Sequence, residues 1–273
     1  MKFNNTFLFF GADNNVGVTT ITQSVGEILA ALTNKRVLIL TLNHKPSDEF
    51  VKESNKTLDN LRSKLTSRII TPDDVFNETL AIGKAQVLLG PKNIVEVRNY
   101  EHKDIQHLIQ LVSSNSENIV LIDAGSDLDN PLTVTSLITI SKRFLVTTQN
   151  KHSVSEFKRK LKFVLSKLNV HSSDFKLIVN KSNQDFHIET SMINEEYNTE
   201  TLSTIPFAEE WWESETEGKL LHHYNDDFNK KLLNVVKYIA AENGIQIETE
   251  ETSKEGIFTK FLFGSKRRVE NGI

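Results

Sequence analysis

Six short runs in this chain are apolar almost from end to end: residues 7–10, 37–42, 86–89, 119–122, 144–148 and 176–179. A strand with one wet face alternates apolar and polar residues. A strand that does not alternate has both faces covered, the condition of strands in a parallel sheet. Helical patterns separate the runs, at 20–32, 71–80, 103–112, 131–140, 155–168 and 228–241. The second of these opens on a start signal, with Thr71 as N-cap, Pro72 at the first helical position and Asp73 and Asp74 in the first turn. This alternation predicts an α/β fold: a doubly wound, mostly parallel sheet flanked by helices. No internal repeat and no Gly/Pro-rich linker interrupts residues 1–242, which read as one domain.

The first junction reads FLFFGADNNVGVTTITQS, residues 7–24. A phosphate-binding loop has this rhythm: strand, Gly-x-x-x-x-Gly-Lys-Ser/Thr, helix. Gly11, Gly17 and Thr19 stand at the pattern's positions, and Val18 stands at the lysine. In such a loop, backbone N–H groups and the helix N-terminus hold phosphates, and the Ser/Thr hydroxyl binds Mg²⁺. The cradle and a metal ligand are therefore retained, but the charge on the terminal phosphates is not. A charge-assisted contact of that kind is worth about 1.5–3 kcal/mol in binding. Asp13 adds a negative side chain beside the phosphates. The loop alone is also what an ordinary strand–turn–helix junction looks like, since such junctions need small residues. Further along, NIVLIDAGSDLDNPLTVTSL (118–137) is a buried strand pattern ending in Asp123 and followed by a glycine-containing loop. That is the form of a second, metal-binding strand.

Taken in order, these pieces resemble the MinD/ParA class of deviant-Walker ATPases, and most closely its TadZ/CpaE pilus-assembly branch. DNNVGVTT, Asp13 to Thr20, aligns without a gap with that class's Lys-Gly-Gly-x-Gly-Lys-Thr-Thr loop. LIDAGSDLDNPLTVTSL resembles its Walker B and switch region. FKLIVNKSN, with Asn180 and Lys181, is similar to the strand whose Asn contacts adenine in relatives. TIPFAEEWWESETEGKLL resembles the late Ile-Pro segment and the turn before the last helix. The similarity spans residues 5–242. It implies a nucleotide site at Gly11, Asp13, Asn14, Asn15, Val16, Gly17, Val18, Thr19, Thr20 and Asn180, with Thr19 and Asp123 as Mg²⁺ ligands. ATP and Mg²⁺ are the implied cofactors, weakly held. A homodimer across the 13–19 and 123–130 regions is the implied assembly.

The departures are as informative. The lysine that reaches across a dimer in relatives corresponds to Asp13, and the phosphate-contacting lysine to Val18. Two glycines correspond to Asn14 and Asn15, residues that tolerate left-handed backbone. Thr41 and Asn43 stand where relatives place carboxylates. The expectation is a pseudo-ATPase acting as scaffold or positioning factor for a membrane-associated pilus or secretion assembly. Its rivals are a slow genuine ATPase in which a lysine such as Lys45 replaces the lost charge, and a ParA-like DNA partition factor. A net charge of −4 makes nucleic acid an unlikely partner. The absence of cysteine excludes disulfides and thiolate metal sites. With no long apolar run and no secretory leader pattern, the expected location is the cytoplasm, peripheral at the inner membrane face if the tail engages lipid.

That tail follows an acidic tether, residues 243–256. In GIFTKFLFGSKRR a short helix would gather Ile257, Phe258, Phe261 and Leu262 on one side and Lys266, Arg267 and Arg268 at its end. An apolar face beside basic residues suits an anionic membrane surface. The basic stretch KRKLKFVLSK (158–167) reads as a solvated helix face, and one of Trp211 and Trp212 as cover for the sheet edge. His222 and His223 lack the i, i+4 spacing of a helical metal pair and an evident acidic third ligand, and read as surface residues.

Overall fold

The computed structural model describes residues 3–52, 55–183, 185 and 190–247. The tether from 248 on, and every tail residue named above, lie outside them. The elements run β1 (Thr6–Gly11), α1 (Val18–Leu32), β2 (Arg36–Thr41), α2 (Leu58–Thr66), α3 (Pro72–Asn77), β3 (Leu80–Ile82), β4 (Ala85–Leu88), α4 (His102–Ser113) and β5 (Asn118–Asp123). They continue with α5 (Pro131–Thr139), β6 (Arg143–Thr147), α6 (Lys151–Phe163), β7 (Phe175–Ser182), α7 (Thr190–Tyr197), β8 (Thr201–Pro206), α8 (Trp211–Glu217) and α9 (Asp226–Glu242). The sheet order is β3-β4-β2-β5-β1-β6-β7-β8, parallel throughout except that β3 runs antiparallel to β4. The doubly wound, mostly parallel sheet expected from the sequence is therefore the fold.

Both faces of the sheet are dry, which is why the strand sequences do not alternate. Leu8, Phe10, Leu38, Leu40, Val120 and Ile122 point to one side, against helices contributing Leu61, Leu65, Ile105, Leu108 and Phe157. Phe7, Phe9, Val37, Ile39, Ile119 and Leu121 point to the other, against Ile21, Val25 and Ile28 of α1 and Leu232, Val235 and Ile239 of α9. Neighbouring side chains on each strand thus feed two separate cores. Aromatic contacts tie β1 to β6, with the Phe9 and Phe144 rings 4.7 Å apart. The start signal at Thr71 is realised as a capping box, in which Thr71 Oγ1 accepts from the Asp74 N–H and the Asp74 carboxylate accepts from the Thr71 N–H.

This topology brings three strand ends together. Phe9 pairs with Asp123, and Asp123 with Thr41, so the C-terminal ends of β1, β5 and β2 lie side by side in the middle of the sheet. In open α/β sheets, ligand crevices form at such carboxyl ends. Among the described residues no helix is long and apolar enough to cross a membrane.

Two sequence expectations are corrected here. The histidines at 222 and 223 are not both on the surface: His222 is enclosed in the protein, and both approach Glu27 of α1. The basic stretch at 158–167 is not simply a solvated face either, because Lys160 turns inward beneath the first loop.

Candidate nucleotide site

The loop after β1 is built so that its carbonyls turn outward. Lys160 Nζ donates to the carbonyls of Ser126 (2.7 Å), Ala12 (3.0 Å) and Gly11 (3.5 Å). Lys181 Nζ donates to the Asn15 carbonyl at 3.0 Å. The buried Asn180 Nδ2 donates to the Val16 carbonyl at 2.8 Å. With the carbonyls fixed from outside, Asn15 at φ 60° and Gly17 at φ 92° curl the chain into the start of α1. Gly17 is required by space as well as by its dihedral angle, since a Cβ there would lie 2.5 Å from Asn180 Nδ2. No side chain caps α1, and no acid lies in its first turn. Among the described residues, the N–H groups of Val16, Gly17, Val18 and Thr19 have no protein acceptor. Converging free N–H groups at a helix N-terminus are an anion cradle.

Beside the cradle is the buried end of β5. Thr19 Oγ1 donates to Asp123 Oδ2 at 2.7 Å, Ser47 Oγ stands 3.4 Å from the same oxygen, and the Gly125 N–H donates to Asp123 Oδ1 at 3.0 Å. Asp123 is wholly enclosed. Burial pushes its carboxyl above the usual carboxylate range, against the pull of these hydrogen bonds. Asn43 Nδ2 donates to the Asp123 carbonyl at 3.3 Å, so its amide braces the end of β5. The Thr41 hydroxyl, also enclosed, has no hydrogen-bond partner among the described residues.

A cleft of about 290 Å³ opens over the loop, lined by residues 13–20 and, opposite them, by Lys45, Ser47, Glu49, Lys181, Trp211 and Glu215. Of the expected site residues, 13–20 line this cleft, while Gly11 is buried at the end of β1 outside it, Asp123 lies behind Thr19 and Asn180 behind Val16. Asn180 therefore acts on the loop's shape. Asn14 keeps the ordinary side of backbone space and uses its side chain, accepting from Ser126 Oγ at 2.6 Å. Val18 packs into the core below the helix start, at 7% exposure. The Asp13 carboxylate accepts from the Asn14 N–H at 2.7 Å and leans toward α6, where His152 Nε2 is 3.6 Å away. Lys181 also lies over the Trp211 ring, 4.2 Å from its centroid. Trp211 is thus a wall of the cleft, while Trp212 is exposed.

A magnesium nucleotide fits this site in part. The N–H cradle suits phosphate oxygens, and Thr19 with Asp123 behind it is a donor pair suited to a hard cation. The charge fits poorly. Val18 carries none, Asp13 carries the wrong sign, and Lys160 and Lys181 are engaged with carbonyls, while Lys45 also lines the cleft.

The sequence matches no protein-family model and no curated protein. The fold is similar to that of solved structures. One is a ParA family ATPase from Chlorobium tepidum TLS, with TM-score 0.73 and 18% identity over 85% of this chain and 98% of that one. Another is MinD in the MinC:MinD cell division complex of Aquifex aeolicus, with TM-score 0.69 and 15% identity over 92% and 99%. A third is the septum site-determining protein MinD complexed with Mg-ADP from Pyrococcus horikoshii OT3, with TM-score 0.68 and 16% identity over 86% and 95%. At these identities the likeness is one of fold.

Proposed function

We propose that this chain is a MinD/ParA-type switch fold of the TadZ/CpaE kind that works by association rather than by turnover. It serves as a scaffold or positioning factor for a membrane-associated pilus or secretion assembly. The observation that carries this reading is the mismatch between a retained phosphate cradle and a loop stripped of its cations. A triphosphate carries several negative charges, and hydrolysis needs them stabilised where water is excluded. A buried valine and an aspartate in place of two lysines remove that stabilisation. The cradle that remains supports weak binding of ATP and Mg²⁺ through Thr19 and Asp123.

Association uses the switch face, residues 13–19 and 123–130, in a homodimer. The tail, with Ile257, Phe258, Phe261 and Leu262 beside Lys266, Arg267 and Arg268, brings two copies to an anionic membrane. Two weak contacts held together bind far more tightly than one. Sedimentation velocity with and without Mg-ATP tests the reading: the dimer fraction is expected to be the same in both. Dimer formation that requires ATP would refute it.

One observation favours a second reading, a slow ATPase: Lys45 lines the same cleft as Thr19 and the loop. In that case Lys45→Ala abolishes turnover. A DNA-binding role draws less support from the basic helix, where Lys158 pairs with Glu196, Arg159 with Glu156 and the half-buried Lys160 is held by the loop carbonyls.

A further inference from the structure

About two to three turns along α1 from its phosphate loop, three side chains converge from distant parts of the sequence. Glu27 lies in the middle of α1. His222 and His223 lie in a short turn of 3-10 helix, Leu221–His223, that leads into α9. We propose that Glu27, His222 and His223 form a binding site for a zinc-class divalent metal ion, with a fourth position open to the adjoining cavity.

The first argument is the state of His222. Its side chain is fully enclosed, and among the described residues neither ring nitrogen makes a hydrogen bond, although Nε2 lies 3.4 Å from Glu27 Oε2. An imidazole carries a donor and an acceptor, and leaving either unpaired in a protein interior is unfavourable. Most buried polar side chains pair with a carbonyl, a hydroxyl or another polar group. A metal ion satisfies the lone pair directly. The neutral imidazole is the form that metals bind.

The second argument is spacing. Glu27 Oε2 is 3.0 Å from His223 Nε2 and 3.4 Å from His222 Nε2. Zinc bonds to nitrogen and oxygen of about 2.0–2.1 Å at tetrahedral angles put neighbouring ligand atoms about 3.3 Å apart. One donor atom from each of the three residues lies within 4.8 Å of the others, so an ion is reached by small side-chain shifts. Two imidazoles and one carboxylate are a zinc donor set that leaves a position for water or another ligand.

The third argument is the surroundings. Glu27 and His223 line a cavity of about 350 Å³ whose walls include Lys52 and Lys219, so the open position faces space rather than packed side chains. Opposite, the turn between β3 and β4 closes on the carboxylate through Gly83, at φ 55°. A Cβ on Gly83 would lie 2.3 Å from Glu27 Oε1. Any side chain there would displace the carboxylate, so the glycine keeps the acidic ligand in place.

A metal here would staple α1 to the connection before α9. The test uses the full chain without affinity-tag histidines, stripped with a chelator. Zinc uptake is measured by competition with a chromophoric chelator, and Co²⁺ is added as a spectroscopic probe. One ion per chain is expected, with visible Co²⁺ absorption of a four- or five-coordinate site. His223→Ala and Glu27→Gln, each checked for native circular dichroism, are expected to weaken binding by at least about 100-fold, while His171→Ala at the exposed surface leaves it unchanged. Should a variant fail to fold, the stripped wild type decides: zinc is expected to raise its unfolding temperature. No uptake at equimolar zinc, no thermal shift, or equal affinity in His223→Ala would each overturn the proposal.

Discussion

Replacing Lys160 with methionine removes the cation that clamps the first loop from below while keeping a stem of similar length over the Phe10 ring, which Lys160 Nζ approaches to 5.4 Å. Two of the three carbonyl contacts, to Ser126 and Ala12, are short at 2.7 and 3.0 Å, whereas the one to Gly11 is marginal at 3.5 Å. Hydrogen bonds to a charged group contribute about 1.5–3 kcal/mol each, so two give a gross loss of about 3–6 kcal/mol. Relief of burying the ammonium offsets part of this, and about 2–4 kcal/mol remains. With a urea slope of about 2–3 kcal/mol/M for a domain of this size, the midpoint falls by about 1 M. Amides around the loop should also lose hydrogen-exchange protection. Burial holds the Lys160 ammonium below its ordinary 10.5. Between its folded value and 10.5 the unfolded chain binds more protons, so wild-type stability rises with pH there. The methionine variant lacks that rise, and the gap between the two proteins widens in alkali. A midpoint shift below about 0.2 M urea would show that the clamp does not hold the loop.

Gly17→Ala places a methyl group 2.5 Å from Asn180 Nδ2 at a left-handed residue. It is expected to cost about 2 kcal/mol, and measurably less when Asn180→Ala is already present; equal cost in both backgrounds would remove the packing argument. Asp123→Asn is expected to raise the thermal midpoint at pH 7, because the native carboxyl is held above its usual range and ionising it there costs stability. For the same reason wild-type stability should fall as pH rises from about 4 through the folded value, a slope the variant loses. Full-length protein is expected to sediment with anionic vesicles, and a chain ending at residue 256 to stay in solution; equal sedimentation would dismiss the tail as a lipid contact.

The parallel sheet was legible because strands covered on both faces lose alternation, and runs such as 37–42 and 119–122 show it plainly. β3 was not, since Leu80–Ile82 is three residues long and antiparallel at the edge. The loop was legible from Gly11, Gly17 and Thr19, whereas its scaffolding was not. Lys160 sits inside a basic stretch, and its one signal is its place three residues after the buried Phe157, on the same helical face. Asn15 takes the left-handed conformation its residue type allows, but Asn14 does not, and nothing in sequence distinguishes the two. His222 and His223 read as surface residues because the rule applied to them was the i, i+4 spacing of an α-helix. In a tight turn adjacent rings can lie together, here 4.1 Å apart. Their acidic partner is 195 residues earlier, a separation no local pattern reveals.

The central claim concerns charge at the phosphate loop, and steady-state phosphate release from Mg-ATP measures it most directly. Wild type and Thr19→Ala are expected to give the same background rate. Release by the wild type that Thr19→Ala abolishes would mean that the cleft stabilises the transferring phosphate after all, and would contradict the account.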